Sequence, residues 1–107
     1  MNKANIWSKL YPDPDDSREI AAIFLDAARV DCADLRVARQ EQERELIGQL
    51  AHRIKGAAAM VGLIELSAEA ATLQQMAQQE RAVTEQILLL EQLLDRLIDE
   101  TAQWLAT

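Results

Sequence analysis

Apolar residues recur at helical spacing through most of the chain, and no segment alternates with the period of a β-strand. The pattern predicts four long helices separated by short breaks. The first extends from Pro14 to about Arg39, the second covers about 42–61, the third covers about 65–79, and the last runs from 84 to about 104. Each carries one apolar stripe, as expected of a helix that buries a single face.

The stripes of the first and last helices differ in length and composition. The first helix has the apolar positions Ile20, Ile23, Phe24, Ala27, Leu35 and Ala38. The last helix has the apolar positions Ile87, Leu90, Leu94, Leu97 and Trp104. The spacing in the last helix also resembles a coiled-coil heptad, which leaves a helical dimer as an alternative. Because it spans only about three heptads, we expect it to fill the core of a single-chain bundle, and we expect a monomer.

The breaks between the predicted helices carry their own signals. Asp13 followed by Pro14 is typical of a helix N-cap with proline in the first turn. Residues 40–43 contain no glycine or proline, but an unbroken helix from Pro14 onward would be too long for a domain of this size. Gly62 is a natural left-handed C-terminal cap, and Thr84 is a candidate N-cap for the last helix.

The N-terminal segment predicts one additional short element. Ile6, Trp7 and Leu10 have amphipathic spacing, so we expect a short helix that covers one end of the bundle. The sequence as a whole therefore predicts an all-α fold. We expect an antiparallel up-down-up-down four-helix bundle with a short N-terminal capping helix, as a single domain over residues 1–107.

Two features of the first long helix do not fit a plain apolar stripe. Asp31 and Asp34 interrupt it, and they either flank the end of the bundle or pair with arginines such as Arg29 or Arg36. Cys32 is expected to be a small, partly buried side chain rather than a reactive thiol.

Composition excludes several classes of function. The net charge is −7, with 11 basic and 18 acidic residues. Nucleic-acid binding and an anionic membrane surface both require clustered basic residues, so both are disfavoured. A single cysteine cannot form an internal disulfide, which fits a reducing compartment. No membrane-spanning run and no signal peptide are visible, so we expect a cytoplasmic protein without membrane insertion.

The second predicted helix carries the only histidine of the chain, His52. At about 100° per residue, the small or charged residues that fall within about 60° of it are Glu45, Gly48, Lys55, Gly56 and Ala59. The apolar residues that fall within about 40° of the opposite direction are Ile47, Leu50, Ile54, Ala57 and Val61. The apolar stripe is therefore expected to be buried, and His52 is expected to point into solvent.

The neighbours of His52 suggest a chemical role for it. Glycine within a helix costs roughly 1 kcal/mol relative to alanine, and Gly48 and Gly56 lie one turn before and one turn after His52. Their missing side chains leave the imidazole accessible, and Lys55 supplies an ammonium on the next turn. A neutral imidazole of this kind suits nucleophilic attack on a phosphoryl group brought by another protein. A surface histidine without function is the alternative.

The segment HRIKGAAAMVGL at 52–63 resembles the signature of histidine-containing phosphotransfer (HPt) domains. That signature reads H-x-hydrophobic-K-G, then a run of small residues, then G-hydrophobic. The resemblance extends through Leu66 and the Leu73–Gln74 pair, and more loosely over most of the chain as a four-helix pattern.

The resemblance implies specific roles. His52 would accept the phosphoryl group, Lys55 would stabilise its charge, and Gln74, with Gln75 as fallback, would hydrogen-bond the histidine. Receiver docking would involve Gly48, Gly56, Ala59 and Arg53. The partners would be response-regulator receiver domains, with a hybrid sensor kinase as a further candidate. The chain would need no cofactor and no metal of its own, because Mg²⁺ would belong to the receiver.

The competing functions differ in what they require of His52. No glycine-rich phosphate loop is present, so we expect no autokinase activity. The dimerising helices of sensor kinases typically have an acidic residue and then a proline after the histidine, whereas Arg53 follows here and no proline comes after Pro14. One histidine and one cysteine on different helices make a metal site improbable. The alternative is a non-catalytic helical interaction or dimerisation module, or a pseudo-phosphotransfer domain that only docks receivers.

Overall fold

The computed structural model of the chain describes residues 5–107, which form five helices. They are α1 (Ile6–Leu10), α2 (Pro14–Gln40), α3 (Arg44–Val61), α4 (Ile64–Gln78) and α5 (Thr84–Leu105). The described residues contain no strand, so the all-α prediction is confirmed. The predicted break at 40–43 is also present, as a turn in which Gln42 adopts a left-handed backbone with φ of 55°.

Two of the three predicted caps are correct. The Asp13 carboxylate accepts hydrogen bonds from the backbone N–H groups of Asp15 and Asp16, with Pro14 in the first turn of α2. Gly62 ends α3 with φ of 88°, a conformation that favours glycine. The third was wrong, because Thr84 is the first residue of α5 and Val83 occupies the cap position without a side-chain hydrogen bond.

The four long helices surround one core. Helix α2 packs against α3 and α5, and α4 packs against the same two helices, while α1 packs on α2. The largest buried aliphatic side chains come from all four helices: Leu35, Ile47, Ile54, Leu66, Leu73, Ile87, Leu90 and Leu94. Within residues 5–107, no helix combines the length and the apolar character needed to cross a bilayer.

Helix α2 buries part of the predicted stripe, namely Phe24, Leu35 and Ala38, and Ile20 is half-buried against the core. Ile23 and Ala27 are exposed, which contradicts their assignment to the core. The apolar residues buried on α2 are Ala21, Phe24, Leu25, Ala28, Cys32, Leu35 and Ala38. They follow the helical period and include three alanines and a cysteine that allow close packing. Ile23 lies roughly 160° around the helix from Ala21. The contact face thus combines small residues with Phe24, Leu25 and Leu35, and it leaves Ile23 outside.

Helix α1 covers one end of the bundle, as predicted. Trp7 is buried, its indole N–H donates to the Thr101 hydroxyl at 2.9 Å, and its ring lies 5.2 Å from that of Phe24. Just after the helix, the Tyr11 hydroxyl donates to the backbone carbonyl of Val61 at 3.1 Å. The short helix is thus attached to α2, α5 and the end of α3.

Cys32 and the two interrupting aspartates have clear surroundings in the fold. Cys32 is buried between α2 and α5, and its thiol lies 3.5 Å from an Asp95 carboxylate oxygen. Burial, with a further contribution from that carboxylate, raises the pKa of the Cys32 thiol to about 11. Asp31 and Asp34 both pair with Arg53 of α3, and not with Arg29 or Arg36.

Candidate functional site

His52 lies in the middle of α3 with its side chain exposed to solvent. The helix turns its opposite side to the core and buries Ile47, Leu50, Ala51, Ile54 and Ala58. The orientation expected from the helical spacing is therefore present. A side chain on a packed helix is held in a more defined position than one on a loop, which suits a nucleophile that must meet a partner.

Gln74 of α4 contacts the imidazole. Its side-chain nitrogen Nε2 lies 3.1 Å from His52 Nδ1. With the amide in this orientation, its N–H donates to Nδ1 and the neutral ring carries its proton on Nε2. Turning the amide by 180° places Oε1 there instead, so that Nδ1–H donates and the lone pair of Nε2 faces outward. Gln74 can thus select which ring nitrogen is free to react.

Lys55 follows His52 by one helical turn and is half-buried. Its backbone carbonyl accepts a hydrogen bond from the Ser67 hydroxyl of α4 at 3.1 Å. None of the ion pairs formed by residues 5–107 includes its ammonium group. The charge next to the imidazole is therefore not neutralised by a carboxylate of the described chain.

The small residues around His52 have different surroundings. A side chain added at Gly56 would meet no atom within 4 Å, and Ala59 is exposed. A Cβ at Gly48 would lie 3.6 Å from that of Ala77 on α4. Gly56 and Ala59 thus leave an open surface beside the imidazole, whereas a side chain at Gly48 would be in ordinary contact with α4.

Arg53 points to the other side of α3, toward α2. Its guanidinium lies 2.6 Å from an Asp31 carboxylate oxygen and 3.1 Å from one of Asp34. Asp31 is buried, so the contact supplies a partner for a carboxylate that has lost most of its water. Arg53 therefore joins α3 to α2 in the isolated chain.

A groove of about 700 Å³ opens beside His52, between the N-terminal half of α3 and the C-terminal half of α4. Polar side chains line most of it, together with Gly48 and Ala77: Arg44, Glu45, Gln49, His52, Gln74, Gln78 and Glu80. The Arg44 guanidinium donates to the backbone carbonyl of Ala77, in the last turn of α4, at 3.3 Å and to that of Arg81, just beyond the helix, at 2.7 Å.

The family model of the Hpt domain matches residues 19–104 of the chain. That range covers most of the chain and includes the whole of α3, α4 and their contact. The chain belongs to the Hpt domain family. Neither curated proteins nor solved structures gave a significant match.

Hpt domains carry phosphoryl groups on histidine in the phosphorelays of two-component signalling, and they interact with receiver domains. They are phosphocarriers rather than catalysts. His52 is the single histidine of this Hpt domain, and its side chain is exposed. Residues 5–107 contain no group of three or more His, Cys, Asp or Glu side chains placed to hold a metal ion.

Sequence reasoning missed two contributions to this Hpt domain site. The Arg53–Asp31 pair depends on how α2 is rotated against α3, and the only signal was the presence of acidic residues in an apolar stripe. The position of Arg44 at the end of α4 gave no signal in the sequence, because it depends on how α3 packs against α4 and joins residues that are 33 positions apart in the chain.

Proposed function

We propose that His52 accepts a phosphoryl group from the aspartyl phosphate of one receiver domain and passes it to an aspartate of another. The observation that carries this proposal is the exposed imidazole with Nδ1 next to Gln74. No hydrogen bond formed within residues 5–107 involves the other ring nitrogen, Nε2, and its lone pair is free for attack when the Gln74 amide presents its oxygen to Nδ1–H.

The transfer balances without an added reactant. The lone pair of His52 Nε2 attacks phosphorus, the N–P bond forms, and the bond between phosphorus and the aspartyl oxygen breaks to release a carboxylate. The ring keeps its proton on Nδ1 and becomes positively charged as the bond forms. With its amide oxygen toward Nδ1–H, Gln74 stabilises this charge, and the second receiver reverses the same steps.

Lys55 is the second group proposed to act in the transfer. Its ammonium, one turn from His52, is suited to attract the negative oxygens of the phosphoryl group as they pass between the two proteins. Mg²⁺ would be held by the receiver, and the chain would not phosphorylate itself. Gly56 and Ala59 would leave room for the receiver surface.

The order of the helices in the bundle and the oligomeric state of the chain form part of the same proposal. Arg18 near the start of α2 contacts Leu105 at the end of α5, whereas Arg39 near the end of α2 contacts Glu91. Such contacts support antiparallel neighbours and an up-down-up-down order. We propose that the domain acts as a monomer, because each receiver needs access to the same histidine.

The test is phosphotransfer from a phosphorylated receiver domain of the same genome. We expect an acid-labile, base-stable adduct on the wild-type chain and none on His52→Gln. Gln74→Leu should lower the transfer rate at saturating receiver, whereas Gln75→Leu, the matched change on the neighbouring residue, should not. Labelling of His52→Gln would exclude the proposal, and receiver binding without labelling of the wild type would identify a docking module instead.

A further inference from the structure

Three β-branched apolar residues lie in one row on the outer side of α2. Ile23, Val30 and Val37 are 65, 57 and 50 % exposed. Because they recur at every seventh residue, an α-helix places them within about 20° of one direction, over about 21 Å of its length. The buried residues of α2, such as Ala21 and Ala28, lie on the opposite side of the helix. The three side chains therefore form one row that the bundle does not cover.

Four exposed carboxylates alternate with these apolar residues along the same line. They lie within about 40° of Val30 around the helix and are Glu19, Asp26, Asp34 and Glu41. Arg29 and Arg36 of the same helix lie about 100° or more from Val30. Among the ion pairs of residues 5–107, only the one between Asp34 and Arg53 involves any of the four carboxylates. We name the three apolar and four acidic residues the outer stripe.

The outer stripe has the spacing with which one helix packs on another. Its members follow one another at intervals of three or four residues, as the contact positions of paired helices do. Ala27 and Ala33 lie about 60° to either side of Val30, and their small side chains allow a second helix to approach. Isoleucine and valine have lower helix propensity than alanine or glutamate, so an isolated exposed helix does not favour them here. A contact with a second helix gives these residues a reason.

Charge makes a second copy of the chain the weaker occupant of the outer stripe. In an antiparallel pair of α2 helices centred on Val30, Glu19 would face Glu41 of the second copy, and Asp26 would face its Asp34. In a parallel pair, each carboxylate would face its own equivalent. Both arrangements bring together groups of the same charge, and this repulsion opposes association.

We infer that the outer stripe binds an amphipathic helix of another protein, in which lysine or arginine alternates with apolar residues at the same spacing. Such a helix places a cation beside each carboxylate and covers the apolar row. Nucleic acids and anionic membranes carry the same sign of charge as the stripe, so neither is a suitable occupant. The inference goes beyond the proposed function and does not depend on it, because His52 is on α3 and is not part of the stripe.

The first test uses a synthetic helical peptide as the probe. Leucine recurs at every seventh position of the peptide, and lysine occupies the stripe positions between the leucines. In the control peptide glutamate replaces lysine. By fluorescence anisotropy, we expect the lysine peptide to bind the wild-type chain, with a Kd at least tenfold higher in high salt than in low salt. Absence of binding by the lysine peptide, or equal binding by both peptides, would overturn the inference.

Variants of the chain locate the bound peptide. Val30→Gln removes the central apolar residue of the stripe, and its matched control is Leu89→Gln, at a 46 % exposed residue of α5. Asp26→Lys reverses a stripe charge, and its matched control is Asp99→Lys, at an exposed aspartate of α5. Each stripe variant should raise the Kd of the lysine peptide at least fivefold, and each control less than twofold. Binding that neither stripe variant weakens, or that the controls weaken equally, would refute the site.

Self-association tests the role of charge without a peptide. In the double variant Glu19→Lys/Asp26→Lys, the lysines introduced at positions 19 and 26 would face Glu41 and Asp34 of a second copy in the antiparallel pair. By sedimentation velocity, we expect the wild type to be a monomer and the double variant to form a dimer. The matched Asp99→Lys/Glu100→Lys variant should stay monomeric. A double variant as monomeric as the wild type, or a wild-type dimer that Val30→Gln dissociates, would overturn the inference.

Phosphotransfer shows whether a receiver domain occupies the stripe instead. The donor is the receiver that labels the wild-type chain fastest. We expect Val30→Gln to change KM and kcat for this receiver less than twofold, although it weakens binding of the lysine peptide. A tenfold rise in KM would identify the receiver as the occupant and would overturn the separate helical partner. Absence of His52 labelling in the wild type would count against the proposed function and would leave the peptide measurements as they are.

Discussion

Replacement of Gly56 should separate the stability of the fold from its ability to transfer phosphate. Gly56 lies inside α3, and a Cβ there would meet nothing within 4 Å. The stability of the fold therefore does not require glycine at this position. If phosphotransfer requires glycine there, the reason must be a partner protein that approaches the surface beside His52.

The magnitude follows from helix propensity. Glycine in a helix interior costs about 1 kcal/mol relative to alanine, and no clash offsets that gain here. Gly56→Ala should therefore raise the free energy of unfolding by about 1 kcal/mol and raise Tm by about 4–8 °C. Glutamine is also a good helix former, so Gly56→Gln should be at least as stable as the wild type. Its longer side chain should nevertheless slow transfer from a receiver at least tenfold.

Gly62 provides the control, since its backbone differs. Its φ of 88° and its 3.2 Å approach to Leu10 make a side chain unfavourable, so Gly62→Ala should lose about 1–2 kcal/mol. Thermal unfolding and receiver phosphotransfer are measured on the three variants together. Normal transfer by Gly56→Gln, or a lower Tm for Gly56→Ala, would refute the reasoning.

Three further predictions concern buried polar groups. Arg53→Ala leaves the buried Asp31 carboxylate without its 2.6 Å partner and should cost about 1–3 kcal/mol in urea unfolding; no loss would contradict the role of this pair. Burial raises the pKa of the Cys32 thiol to about 11, so the thiol stays protonated at pH 8 in the folded protein. Cys32 should therefore resist a thiol reagent at pH 8 in the folded protein and react within seconds in urea. Thr101→Val removes the acceptor of the Trp7 indole N–H and should also cost about 1–3 kcal/mol; an unchanged urea midpoint would show that the bond is dispensable.

The features that could be predicted from the sequence are those with a local cause. Asp13 and Pro14 mark the start of α2 because capping and proline geometry involve only adjacent residues. Gly62 marks the end of α3 because a positive φ favours glycine. The outward direction of His52 follows from the helical period, since the opposite side of the same helix is apolar.

The features that could not be predicted depend on how one helix is rotated against another. The pairing of Asp31 with Arg53 and the exposure of Ile23 both follow from the rotation of α2, which a single helix does not determine by itself. The contact between Gln74 and His52 was expected from the family resemblance, and the structure brings the two side chains to 3.1 Å.

The most direct test of the central claim is to determine which atom carries phosphorus after transfer from a receiver. Nitrogen and phosphorus NMR of the ¹⁵N-histidine-labelled chain would distinguish the ring nitrogens. We predict phosphorus on Nε2 of His52, with the proton of Nδ1 retained and bonded to Gln74. Phosphorus on Nδ1, or on any residue other than His52, would contradict the account.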